Sequence, residues 1–267
     1  MMKNRKNKGM TRRDFMHGSV IASWGLVPAL AGATTVLTGC KGKKEKEPNA
    51  LESTAPRKAQ EPKLTQVPRR ELGKTGVKVP CLSLGILFNV VDSQIILRSA
   101  LQRGVNCWDT ASNYAGGNSE LGIGKFLSKN PEARKGLFIV TKASYAKNVA
   151  DVEKCLQTSL KRMNTKYIDL YYGVHNLSDS AQLTDELRQW AKSAKERKLI
   201  RFFGFSTHKN MAQCLSAAAK LDWIDVIMTA YNFRLMQDPK LQAAVEACHK
   251  VGIGLIAMKT QATGLGA

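Results

Sequence analysis

The run GVNCWDTASNYAGGNSELGIGKFLSKN, residues 104–130, decides the architecture. Gly104 stops one helical pattern, VNCWDTA (105–111) is a short apolar run rich in strand formers, and SELGIGKFLSKN (119–130) returns to helical spacing. A strand that leads through a loop into a helix is half of a parallel crossover, and the unit recurs in both directions along the chain. Upstream, residues 81–84 form a first strand entered through Pro80, followed by a helix over VDSQIILRSALQRG (91–104). Downstream, LFIVTKA (137–143) precedes a helix carrying Val152, Leu156 and Leu160, and YIDLYYGVH (167–175) precedes LTDELRQWAKSAKERK (183–198). IRFFGFST (200–207) precedes MAQCLSAAAK (211–220), WIDVIMTAY (223–231) precedes LQAAVEACHK (241–250), and IGLIAMKT (253–260) closes the series. Strands that are apolar on both faces, alternating with helices, fit either a closed eight-stranded barrel or an open doubly wound sheet. No Gly-x-Gly-x-x-Gly turn follows the first strand, and the strand spacing of roughly 30 residues never breaks. The expected fold is therefore α/β, a (β/α)8 barrel.

The first 70 of the 267 residues read differently. MMKNRKNKGMTRRDFMHG is basic, and an uncharged run rich in Ala, Val and Leu follows over residues 19–39, the order of a secretory signal. Arg12 and Arg13, with Phe15 close behind, resemble a twin-arginine signal, and an ordinary basic leader is the plainer alternative. A membrane-spanning anchor is weakened by Pro28 and by the many Gly, Ala and Thr residues. Leu37-Thr38-Gly39-Cys40 resembles a bacterial lipobox, in which cleavage precedes an acylated Cys40; a buried Cys ending an apolar run is the alternative. Residues 41–70, rich in Lys, Glu, Pro and Ala, bury too little surface to order themselves and form a tether. The expected organisation is a signal over 1–40, a tether over 41–70 and a barrel over 71–267. It implies the twin-arginine export machinery as a partner, and a lipid-anchored protein on the periplasmic or cell-surface side of a bacterial membrane.

Charge and cysteine content narrow the function. The formal charge is +20, about half of it in the leader and tether. The remaining Lys and Arg residues are scattered over the helices, which fits a solvated surface facing acidic lipid better than a nucleic-acid site. Six cysteines without a Cys-x-x-Cys pair, and only four His, argue against a metal site. Cys81, Cys107, Cys155, Cys214 and Cys248 are expected to serve as small apolar residues.

Asp109, Tyr114, Lys142 and His175 fall at or just past the C-terminal ends of expected strands, the end where such barrels place their chemistry. Singly, each has a structural reading: Asp109 could cap a turn, Tyr114 line a loop, Lys142 snorkel from a strand end, and His175 bond within the core. Jointly, with RRELGKTGVKVPCLSLG (69–85), the 104–127 segment, FIVTKA, IDLYYGVH and IRFFGFST, they resemble the aldo-keto reductases from Arg69 to the end of the chain. That resemblance implies a small carbonyl substrate, NADP or NAD as hydride donor, and Tyr114 as general acid. A free tyrosine, with a pKa near ~10, protonates an alkoxide poorly unless a neighbouring ammonium favours its phenolate. Lys142 would be that ammonium, Asp109 would hold it, and His175 would orient the carbonyl oxygen and share the proton. No side chain donates hydride, and the resemblance implies that it would come from a bound nicotinamide. A barrel that binds a nicotinamide nucleotide or a partner without turnover, or an inactive fragment, is the alternative.

The resemblance also implies cofactor contacts at Ser206, Thr207, His208, Met258 and Lys259. Ser206 stands where the family often has the Ser of a Ser-Asn pair, and Thr207 replaces the Asn; capping by Ser206, Thr207 or Asn210 competes with that reading. Met228 stands where a Gln often contacts the amide, and Ala257-Met258-Lys259-Thr260 where an aromatic often stacks. Gly116, Gly117, Gly122 and Gly124 read as turn and packing glycines. The GFSTH and AMKT strand ends resemble an exported subgroup that often carries a C-terminal iron–sulfur segment, and a cluster would require such a segment beyond Ala267. A barrel of this type takes about 250 residues, so the expectation is a chain lacking the eighth strand and final helices, with exposed sheet edges.

Overall fold

The computed structural model describes residues 64–261. Arg12, Arg13, Cys40 and the tether up to residue 63 lie outside them.

Two short strands, β1 (Arg69–Glu71) and β2 (Lys78–Pro80), pair antiparallel with Arg69 opposite Pro80, and the turn between them passes through a left-handed Gly76. Ordered strand thus begins at Arg69. Seven parallel strands follow in sequence order: β3 (Leu84–Gly85), β4 (Cys107–Asp109), β5 (Phe138–Lys142), β6 (Ile168–Val174), β7 (Ile200–Thr207), β8 (Val226–Ala230) and β9 (Gly254–Met258). Six helices connect them: α1 (Gln94–Gln102), α2 (Asn118–Lys129), α3 (Val149–Arg162), α4 (Asp185–Glu196), α5 (Met211–Ala218) and α6 (Pro239–Lys250). The result is a half-barrel in which β3 and β9 form the two edges among the described residues, as an incomplete (β/α)8 barrel requires.

Side-chain alternation sorts the sheet into two apolar layers. Cys107, Phe138, Val140, Leu170, Tyr172, Val226 and Met228 point inward, and Leu72 and Val79 of the β1–β2 hairpin close the layer at the N-terminal ends of the strands. Burial of a side chain such as Leu72 stabilises the fold by about 1.5–3 kcal/mol. Trp108, Ile139, Tyr171, Phe203 and Ile227 belong to the larger outer cluster that includes Ile123, Leu156, Trp190 and Leu215 of the helices. Trp108 meets Phe126 edge-on at 5.2 Å between ring centroids. A Cβ on Gly204 of β7 would overlap the Val226 carbonyl oxygen of β8.

Helix starts follow local chemistry. Asn148 accepts the Asp151 N–H, Thr184 accepts the Leu187 N–H, and Asp238 accepts the Lys240 N–H ahead of Pro239 at the first helical position. One expected element moves: the first strand occupies Leu84–Gly85 rather than residues 81–84. Pro80 ends β2, and residues 81–83 turn the chain from the hairpin into the sheet, with the Cys81 N–H bonded to the Pro68 carbonyl. Cys81 is consequently exposed, not a packed apolar residue, whereas Cys107, Cys214 and Cys248 are buried. Burial pushes the Cys107 thiol up to about 12 and the Cys248 thiol up to about 11.

Candidate active site

The strand ends bring one buried ion pair to the inner face. Asp109 ends β4 and Lys142 ends β5, and the Lys142 Nζ lies 2.8 Å from Asp109 Oδ1 and 2.7 Å from Oδ2. The same ammonium donates to the Thr110 carbonyl at 2.6 Å, so these contacts take up its three hydrogens. Lys142 is 1% exposed and Asp109 9% exposed. Burial raises the Asp109 carboxyl above its usual range, and the Lys142 ammonium beside it works in the opposite direction. Removing one member of such a pair leaves an uncompensated buried charge, at a cost of about 3–5 kcal/mol.

Tyr114 is held over this pair by the loop after β4. Its N–H bonds to the Ala111 carbonyl, and the chain then reverses through three left-handed residues, Ala115 (φ 50°), Gly116 (φ 65°) and Gly117 (φ 94°). The Arg162 guanidinium, from the end of α3, packs against Gly117 where a Cβ would collide with it. Arg162 Nη1 donates to the Ser112 carbonyl at 2.6 Å and to Glu120 Oε2 at 3.2 Å. Glu120 is fully buried and also accepts the Thr141 hydroxyl at 2.7 Å. Tyr114 thereby lies with its ring centroid 4.8 Å from the Lys142 Nζ and 6.0 Å from the His175 centroid, the two rings crossing at 70°.

His175 is the first residue past β6, beyond a register shift between Tyr172 and Val174. Its Nδ1 lies 2.9 Å from Ser144 Oγ. Ser144 donates its single hydrogen to Asn113 Oδ1 at 2.6 Å, and Asn113 Nδ2 donates to the exposed Tyr145 hydroxyl at 3.0 Å. With the Asn113 carboxamide so oriented, His175 Nδ1 must be the donor to Ser144, which leaves a neutral ring with a bare Nε2. Burial, then the charges of Lys142 and His208, lower the His175 pKa from 6.5 to about 4.

The residues expected at the cofactor occupy the neighbouring strand ends. Ser206 Oγ accepts the Asn176 N–H at 3.1 Å and donates its own hydrogen to no acceptor among the described residues. Thr207 is fully buried, with its hydroxyl between the carbonyls of Leu177 at 2.7 Å and Lys209 at 2.9 Å, so its hydrogen is already committed within the protein. Neither caps α5: its N-cap Asn210 makes no side-chain cap bond and instead donates to the Ser178 carbonyl. His208, Met258 and Lys259 are half-buried, and burial followed by the charges of Lys259 and Lys142 lowers the His208 pKa. Met228, 6% exposed, belongs to the inner apolar layer. Among the described residues no group of three His, Cys, Asp or Glu could hold a metal ion.

Four contributors escape a reading of the sequence alone. Ser144 and Asn113 sit beside expected residues, and only the fold turns them toward His175. Arg162 and Glu120 meet across helices, with Arg162 reaching a carbonyl 50 residues away. The His175 geometry is checked by 15N-edited NMR of its ring: the signal should titrate near pH 4, with the proton on Nδ1 above that pH, and Ser144→Ala should release the tautomer. Because the folded pKa lies below 6.5, the unfolded chain takes up a proton that the folded one refuses, so this residue's contribution to stability is lost between pH 6.5 and about 4. A ring titrating near 6.5 would contradict this account.

The sequence profile of the aldo/keto reductase family matches residues 87–266. A thermostable aldo-keto reductase solved with the inhibitor epalrestat is 28% identical, covers 72% of this chain and 72% of its own length, and superposes with a TM-score of 0.59. A Pseudomonas aeruginosa protein assigned to the aldo-keto reductases is 25% identical over 72% of this chain and 78% of its own, with a TM-score of 0.61. An aldo-keto reductase from Bacillus halodurans in its holo form shares the fold, with a TM-score of 0.63 at 24% identity over 75% of this chain and 68% of its own. With most of its length matched by that profile, the chain belongs to the aldo/keto reductase family and is an oxidoreductase of that fold.

Proposed function

We propose that this oxidoreductase interconverts an aldehyde or ketone and its alcohol with NADP or NAD, using Tyr114 as the general acid. The observation that carries the reading is the convergence of Tyr114 and His175 on the buried Asp109–Lys142 pair at one end of the sheet. When bound, NADPH or NADH supplies the hydride. Tyr114 donates its hydroxyl proton to the carbonyl oxygen as negative charge develops there. Lys142, fixed by Asp109 and Thr110, stabilises the charge left on the phenol oxygen without having to reorganise. His175, neutral near pH 7, presents a bare Nε2, which can accept from an alcohol hydroxyl but offers a carbonyl oxygen no hydrogen, so in this tautomer it orients the alcohol rather than the carbonyl.

The donors at the strand ends fit a nicotinamide nucleotide. The spare Ser206 hydrogen suits the nicotinamide amide, Met258 offers a soft apolar surface for the ring, and Lys259 with His208 offers donors for phosphate oxygens. Thr207, with its hydrogen directed inward, contributes position rather than contact. Export by the twin-arginine route and anchoring through acylated Cys40 form part of the same proposal, supported by the basic, apolar, Cys order of residues 1–40. An iron–sulfur cluster would require a segment beyond Ala267. If the anchor is right, cells fed a labelled fatty acid should label the protein and Cys40→Ser should abolish the label; equal labelling of the two would remove acylation from the account.

The catalytic reading is tested with purified protein, NADPH and a generic aldehyde. NADPH should quench the protein fluorescence and be oxidised, and Tyr114→Phe should retain the quench while slowing turnover about 10²–10⁴-fold. Quenching without turnover, unaffected by Tyr114→Phe, would favour a binding protein, and the absence of quenching would sink both readings.

A further inference from the structure

We propose that the end of the half-barrel opposite Tyr114 docks on an anionic membrane surface, which turns the catalytic end away from the bilayer. The topology sorts the charge by end. Every loop that runs from a helix into a strand, together with the β1–β2 hairpin, lies at the N-terminal ends of the parallel strands. Arg70 and Lys74 of the hairpin, and Lys166, Lys198 and Lys220 of the loops, are exposed there without a carboxylate partner among the described residues. The acids at this end are already neutralised: Glu71 by Lys78, Glu132 by Lys135, Asp222 by Arg188, Asp225 by Lys195, and Asp169 by Arg134 and Arg201. The loops at the catalytic end, in contrast, mix Asp92, Asp151, Asp179 and Asp238 with Lys147, Lys209 and Lys240.

Helix dipoles do not explain this distribution. The preference for cations after a helix C-terminus covers Lys198, just past α4, and Lys220, just past α5. It does not reach Arg70 and Lys74 in the hairpin or Lys166 between α3 and β6. A recess of about 490 Å³ at the same end is lined by Tyr167, Lys198, Arg201 and Phe202, among others, a pairing of cations and aromatics suited to lipid headgroups.

A second observation gives the surface its occupant. The chain enters the half-barrel at this end: the Val67 N–H bonds to the Arg103 carbonyl, Gln66 Nε2 donates to the Gln102 carbonyl at 2.8 Å, and the Pro68 carbonyl accepts the Cys81 N–H. A tether anchored at Cys40 would therefore lead into the basic end. Anionic lipid attracts such a surface over a Debye length of about 8 Å, so a tethered protein would sample it continuously. The orientation rests on the anchored-reductase reading, but the attraction itself does not require catalysis.

Full-length Cys40→Ser protein, which cannot be acylated there, is sedimented with vesicles of phosphatidylcholine containing phosphatidylglycerol, and with phosphatidylcholine alone. Combined Arg70→Glu, Lys74→Glu, Lys166→Glu and Lys220→Glu should lower partitioning onto the anionic vesicles at least about tenfold. Combined Lys147→Glu, Lys209→Glu, Arg234→Glu and Lys240→Glu, an equal change of charge at the other end, should change it less than about twofold. Thermal melting of each variant confirms that it is folded. Equal losses in the two folded variants, or no loss in either, would overturn the proposal. So would a short single-stranded RNA that bound more tightly than the anionic vesicles through the same four residues. Absence of NADPH turnover in the protein without these charge changes, with vesicle selectivity intact, would count against the catalytic reading and leave the docking surface standing.

Discussion

The Asp109–Lys142 pair is the interaction on which the candidate site depends. An ammonium that is 1% exposed is tolerable only with its charge matched and its hydrogens bonded, and Asp109 with the Thr110 carbonyl meets both conditions. Meeting them fixes the relative position of β4 and β5, whose backbones are already paired from Cys107 with Phe138 to Asp109 with Val140. The Tyr114 loop leaves β4 directly after this constraint. A charge that would be a liability in an apolar core thus becomes a fixed electrostatic element beside a phenol.

Around that pair the protein builds two supports of different kinds. The Tyr114 loop is braced from outside the sheet by Arg162 and buried Glu120, which tie α3 and α2 to the loop. His175 is braced from within the rim by Ser144 and Asn113. The first support sets where the phenol lies, and the second sets which nitrogen of the imidazole carries its hydrogen. The opposite end of the strands is closed by Leu72 and Val79 and carries exposed cations without a carboxylate partner among the described residues.

Much of this organisation is legible in the sequence because strands buried on both faces appear as continuous apolar runs. FIVTKA, IDLYYGVH and IRFFGFST each become a strand within a residue or two of their expected limits. Gly122 and Gly124 read as packing glycines and are so: a Cβ on the first would meet Val90, and on the second the Arg162 carbonyl. The first strand is less legible, since a two-residue strand beside a hairpin carries no periodicity. Thr207 shows a deeper limit. A hydroxyl at a strand end has the chemistry of a ligand donor, but only burial reveals that its hydrogen points into the protein. Arg162 and Glu120 carry no local pattern, because their pairing exists only once α2 and α3 have packed.

The central claim, that hydride and proton reach a carbonyl at the Tyr114 site, is tested most directly by isotope transfer. Nicotinamide nucleotide deuterated at C4 is incubated with the enzyme and an aldehyde, and the alcohol is analysed by mass spectrometry and NMR. The account predicts one deuterium on the former carbonyl carbon in wild-type protein, and the same labelled alcohol formed about 10²–10⁴-fold more slowly with Tyr114→Phe. Deuterium transfer that proceeded equally well without the Tyr114 hydroxyl would contradict it.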